Sequence, residues 1–148
     1  MRFRKVDLAI ILWPPASGIF DDICTEIKKT NQILSCFDKK ICKNDFEHFL
    51  HEIYKLDYGS LNKINKKHHY VGVKPYILRF LKVRFEKPTM LTQDILNRKK
   101  CKDVHILKEH IRSVFSHRIK DYKFDMIIHS TETEKQCYKA ESIIKKFK

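Results

Sequence analysis

FDMIIHSTETEKQ, residues 124–136, decides how the chain is read. Its first half predicts an apolar strand over Phe124–Ser130, with His129 near the carboxyl end. Thr131 and Glu134 then form a capping box that opens a last helix. A strand-to-helix corner gathers backbone N–H groups that have no partner inside the helix, so a side chain held there can meet a phosphate. A neutral imidazole in that place is a nucleophile toward a phosphoryl group once a carboxylate fixes its tautomer. The plain alternative is an interior histidine satisfied by hydrogen bonds.

Working backward, KEHIRSVF places Arg112 near the end of a helix expected over 103–115, capped by Asp103 and buried through Leu107, Ile111, Val114 and Phe115. The guanidinium either clamps phosphate oxygens in a fork or lies on the surface. At the amino end, Val6–Trp13 is a near-continuous apolar run stopped by Pro14 and Pro15, which predicts a central strand buried on both faces. Ile19–Thr30 carries Ile23, Cys24 and Ile27 at helical spacing, with Asp21 and Asp22 early and Lys28 and Lys29 late, as the helix dipole favours.

Between these ends, Gln32–Ile41 predicts a second strand. Asn44 with Glu47 predicts a capping box ahead of a helix striped by Phe46, Phe49, Leu50, Ile53 and Tyr54. Tyr58–Pro75 dissolves into Gly, Asn, Lys and His and reads as a basic loop. Tyr76–Glu86 returns to strand composition, and Lys87–Lys102, with its NRKKCK run, reads as a second polar connection. The element order is β-α-β-α-β-α-β-α in a single domain over 1–148.

With 148 residues, 43% of them hydrophobic, the chain can bury a core without staples. Gly18, Gly59 and Gly72 cannot build a G-x-x-x-x-G-K or G-x-G-x-x-G loop, which excludes the glycine-rich phosphate sites. The five cysteines have no C-x-x-C spacing, so neither a zinc module nor a disulfide framework is expected, and reduced thiols fit a cytoplasmic protein. His68 and His69 with Cys36 and Cys42 match no ligand frame, so no protein-held metal is expected. MRFRK ahead of the apolar run imitates a signal peptide, but Asp7 breaks the run and Leu8–Trp13 is too short. No stretch approaches the ~18 apolar residues needed to span a bilayer, so no membrane partner is expected. The net charge of +13 fits phosphate-bearing partners or a solvated lysine-rich surface. Arg79, Lys82, Arg84 and the basic run at 98–102, interleaved with Tyr70, Tyr76 and Phe80, give a candidate nucleic-acid surface.

I-R-x-x-F followed by an apolar strand ending in IIHSTE resembles the carboxyl-terminal signature of nucleoside diphosphate kinases, T-I-R-x-x-F through N-x-x-H-G-S-D. LAIILWPPASGIFDDICTEIKK resembles that family's first strand, K-P-D turn and following helix. The resemblance implies an α+β fold: a ferredoxin-like βαββαβ core with additional helices and a four-stranded antiparallel sheet. It implies a phosphotransferase acting through a phosphohistidine at His129, with Arg112, Ser130 and Thr131 on the nucleotide phosphates. Glu132 stands for the signature's aspartate, and Glu141 is a candidate to orient the histidine. Mg2+ would arrive with a nucleoside di- or triphosphate, and a homo-oligomer is expected. The departures are Trp13 in place of the K-P-D lysine, Pro15 for its aspartate, Met126 for the asparagine and Ser130 for the glycine. Losing the lysine removes a charge worth ~10²-fold or more in rate. These departures give the alternative reading, a catalytically degraded nucleotide- or RNA-binding module of the same fold.

Overall fold

The computed structural model describes residues 5–57, 61–93, 98–123 and 125–148. β1 (Val6–Leu12) lies inside the sheet because its side chains alternate between two cores: Leu8, Ile10 and Leu12 enter one, Ala9 and Ile11 with Trp13 the other. Pro14 and Pro15 have no N–H for a ladder, so the strand stops and the chain passes through a 3-10 turn into α1 (Phe20–Lys28). There follow β2 (Gln32–Lys40), α2 (Phe46–Tyr54), α3 (Leu61–Val71) and β3 (Ile77–Phe85). Next come β4 (Met90–Gln93), β5 (Arg98–Cys101), α4 (Lys102–Phe115), β6 (Ile128–Ser130) and α5 (Glu134–Lys146).

The main sheet runs β2-β3-β1-β6, with every pair antiparallel. With α1 and α4, these strands form the ferredoxin-like βαββαβ core. The two helices cover one face over Leu81, Val83, Val104 and Ile111. Phe46, Phe49, Ile64 and Ala140 bring α2, α3 and α5 over the other face. Burying a large apolar side chain stabilises by roughly 1.5–3 kcal/mol, so covering both faces fixes the sheet's register.

Several local expectations are corrected. The segment read as a basic loop contains α3; its apolar line of Ile64 and Val71 was hidden among lysines and histidines of which Lys63, Lys66 and His69 face outward. Gly72 follows, where a Cβ would come within 2.6 Å of the His68 ring. The second polar connection is a hairpin, β4 paired with β5. Asp103 does not cap α4; Cys101 holds that position, and the Asp103 carboxylate accepts instead from Thr89 N at 2.6 Å. No capping box joins Asn44 to Glu47, because a 3-10 turn over Lys43–Asp45 precedes α2. The last helix is capped two residues later than expected, by Thr133 with Gln136. The His129 strand is also shorter, because the Asp125 carboxylate takes the N–H groups of Ile127 and Ile128 at 3.3 Å and bends the chain ahead of it. Met1–Arg4, Tyr58–Ser60, Asp94–Asn97 and Phe124, parts of the expected amino-terminal, loop and strand segments, lie outside the described residues.

Candidate functional site

His129 on β6 pairs with Ile11 of β1, and directly opposed residues share a face, so the imidazole points to the side covered by α2, α3 and α5. There its ring meets Tyr54 at 4.7 Å between centroids and Trp13 at 6.0 Å. The residue is 8% exposed. Neither ring nitrogen is among the enclosed polar atoms that lack a partner, although no carboxylate among the described residues hydrogen-bonds the ring. Burial first, then the charges of Lys108, Lys67, Lys63 and Arg112, push its pKa well below the ordinary 6.5. The imidazole is therefore neutral at physiological pH.

Those cations come from α3 and α4. Lys67 of α3 is 9% exposed; its Nζ donates to the Asp125 carbonyl and lies 3.9 Å from the Asp125 carboxylate. The same ammonium sits 5.7 Å from the centroid of the Trp13 ring. Burial, helped by Arg112, Lys63 and Lys108 and opposed by Asp125, lowers its pKa to about 8. Lys63, one helical turn away, lies 5.8 Å over the Tyr54 ring. Lys108 of α4 is 7% exposed. Arg112 donates to Asp125 through Nη2 and to Glu109 through Nη1 at 2.8 Å, while its Nε is enclosed without a partner. Burial works against the guanidinium's charge, but Asp125 and Glu109 outweigh it and raise the pKa. A polyanion entering here would gain from each of these charges in a medium of lowered dielectric.

The strand-to-helix corner is built otherwise than the sequence suggests. Thr131 N donates to Ala9 O at 3.0 Å, and Thr131 Oγ1 accepts from Ala9 N at 3.0 Å, fastening β6 to β1. Glu132 N and Thr133 N both donate to Gln136 Oε1. The corner thus satisfies these N–H groups itself, and the positive potential falls to side chains. Ser130 is 1% exposed with an enclosed hydroxyl that has no partner.

The carboxylates disperse. Glu132 accepts from Cys101 N at 2.8 Å and meets His105 Nε2 at 2.6 Å, so it ties the β5–α4 junction to β6. Burial pushes Glu132 up, yet His105 and the Cys101 N–H hold its pKa below the usual value. Glu141 pairs with Lys82 at 3.0 Å and Lys145 at 3.1 Å. The structure therefore brings His129 and Arg112 into one electrostatic neighbourhood and gives Glu132 and Glu141 to other partners. Tyr54, Lys63, Lys67 and Lys108 were not foreseen as site residues. The spacing Ile64–Val71 was the available signal for a helix that brings Lys67 inward and sets Lys63 over the Tyr54 ring.

The expected nucleic-acid stripe on β3 is occupied by acids. Arg79 meets Asp38 at 2.6 Å and Asp21 at 2.7 Å, Lys82 meets Glu141, and Arg84 meets Asp7 at 2.9 Å. Phe80 is fully buried. Among the described residues no group of three or more His, Cys, Asp or Glu converges as metal ligands, and no helix is long and apolar enough to cross a membrane.

No protein-family model matches the chain, and no curated protein matches its sequence. Solved structures do match its fold. The nucleoside diphosphate kinase of Aquifex aeolicus aligns with a TM-score of 0.58 at 12% identity, over 95% of this chain and 94% of that one. The enzyme from Borrelia burgdorferi, in a transition-state mimic with vanadate and ADP, aligns at 0.54 and 8% identity, over 97% and 88%. The resemblance to nucleoside diphosphate kinases is remote in sequence and plain in architecture: an α+β fold on a four-stranded antiparallel sheet.

Proposed function

We propose that residues 1–148 are a single nucleoside diphosphate kinase-like domain that binds a nucleoside di- or triphosphate against the cations around His129 and transfers a phosphoryl group through that histidine. One observation carries the reading: a neutral imidazole at the end of β6 is surrounded by Lys67, Lys108, Lys63 and Arg112. Cationic side chains draw in the polyphosphate and offset the charge that develops on it, while the uncharged ring keeps its nucleophilic lone pair. In the reaction the imidazole nitrogen bonds to the terminal phosphorus, the bridging P–O bond breaks, and the nucleoside diphosphate departs. A second diphosphate takes the group in reverse. Mg2+ accompanying the nucleotide would neutralise phosphate oxygens. Asp125 and Glu109 are engaged by Lys67 and Arg112, so the phosphates themselves would hold that ion. Reaching the ring requires the Trp13 indole and the Tyr54 phenol to move aside. Cytoplasmic residence and a homo-oligomer belong to the same reading; light scattering tests the latter.

A second reading, a nucleotide- or RNA-binding module without transfer, is favoured by the 8% exposure of His129 and by the lack, among the described residues, of a carboxylate on its ring. Incubation with a γ-labelled nucleoside triphosphate separates the two. Acid-labile label on wild type but not on His129→Ala supports transfer. Binding without label, weakening steeply with salt and surviving His129→Ala, identifies the module. Absence of both label and binding defeats both readings.

A further inference from the structure

Cys24 and Cys36 form a second chemically competent group, on the opposite face of the sheet from His129. Cys36 lies on β2, an edge strand, and pairs with Leu81 of β3. Leu81 belongs to the core beneath α1 and α4, so Cys36 projects toward the face that α1 covers. Cys24 descends from α1 onto that face, close enough to Cys36 for each thiol to act on the other's charge. Both line a cleft of about 600 Å³ together with Asp21, Ser35 and Arg79. Cys36 is exposed, whereas Cys24 is buried.

Arg79 supplies the chemistry of the setting. Its Nη1 donates to Cys24 Sγ at 3.6 Å, and Asp38 and Asp21 hold the guanidinium in place at 2.6 Å and 2.7 Å. A fixed cation beside the pair stabilises negative charge arising on sulfur. Neither thiol has a part in the reading of the His129 site.

We propose that Cys24 and Cys36 are a dithiol that hydroperoxides convert to an intramolecular disulfide. The Cys36 sulfur, as thiolate, attacks one peroxide oxygen; the O–O bond breaks, the departing oxygen takes up a proton, and Cys36 is left as a sulfenic acid. The Cys24 sulfur then attacks the Cys36 sulfur, the S–O bond breaks, and the hydroxide leaves as water with the Cys24 proton. The two thiols give up two electrons and two protons, and the peroxide is reduced to water and an alcohol, or to two waters. The new bond ties α1 to the edge strand. Burial first, then the neighbouring Cys24, raise the Cys36 thiol against the pull of Arg79, so its reactive thiolate forms more readily as pH rises.

The full chain is exposed to graded hydrogen peroxide, denatured, alkylated with a maleimide and mapped by mass spectrometry. Cys24 and Cys36 should become protected together, in a cross-linked peptide that dithiothreitol releases. Cys36→Ser, a change at an exposed position, should abolish that protection with the fold unchanged by circular dichroism. Cys24→Ser should leave a sulfenic acid on Cys36 that dimedone traps. Oxidation of Cys36 to sulfinic acid while Cys24 stays alkylatable, a cross-link to another cysteine, or alkylation of both after oxidant would each overturn the proposal.

Discussion

The ammonium of Lys67 stands over the indole of Trp13, 5.7 Å from the ring centroid. Trp13 follows the central strand directly and packs its ring near that of His129. A cation carried on α3 thus reaches the neighbourhood of the imidazole across an aromatic surface, which attracts it through the ring quadrupole.

The first expectation concerns pH. Lys67 titrates near 8, below its unfolded value of 10.5. Between these values the unfolded chain binds the extra proton, so this lysine's contribution to stability rises with pH across that window; below pH 8 its burial penalty is present in full. Nucleotide affinity should move the other way, falling about tenfold as pH rises through 8 and the ammonium is lost, in line with a charged hydrogen bond of ~1.5–3 kcal/mol. Calorimetric titration of ADP at pH 7 and 9, with Lys67→Met as the pH-insensitive control, reads this directly.

Asp125 ties Lys67 and Arg112 together while accepting from Ile127 N and Ile128 N. Asp125→Asn keeps an acceptor for those amides but removes the counter-charge. Stability should drop by about 3 kcal/mol, as expected when one member of a partly buried ion pair is removed, and triphosphate should bind more tightly to the released cations. Urea denaturation and equilibrium binding on the same variant give the two numbers. A stable variant with weaker binding would contradict the role assigned to this carboxylate.

Trp13 is fully buried against His129, and its N–H has no partner. Trp13→Ala should lower stability by about 3–5 kcal/mol, the usual cost of emptying a large aromatic site. The same change uncovers the imidazole, so His129 should react faster with diethyl pyrocarbonate, followed residue by residue in mass spectra. An unchanged rate would mean that the indole does not screen the ring.

The acid limb of the stability curve should report Glu132. Its pKa is held below the ordinary 4.5, so its stabilising contribution is complete above that value and is lost as pH falls through its folded value. Glu132→Gln should flatten this limb and cost roughly 1–3 kcal/mol near neutral pH, because His105 and the Cys101 N–H lose a charged acceptor. Denaturant midpoints at pH 3, 4 and 6 test both parts.

Local sequence determined what is set by short-range periodicity and by residues that cannot be accommodated otherwise. The two prolines had to end the first strand, its double-sided apolar pattern had to place it centrally, and the apolar residues ahead of His129 had to supply a strand that carries it, though a shorter one than Phe124–Ser130. Only the folded chain decided which charges meet. Asp21, Asp38, Asp7 and Glu141 come from distant segments to neutralise the basic residues of β3, while Lys63, Lys67, Lys108 and Arg112 converge on one neutral imidazole. The reason is physical: a helix announces its buried face through apolar spacing, but Lys67, which turns inward from α3, looks in sequence like Lys63 and Lys66, which stay in water.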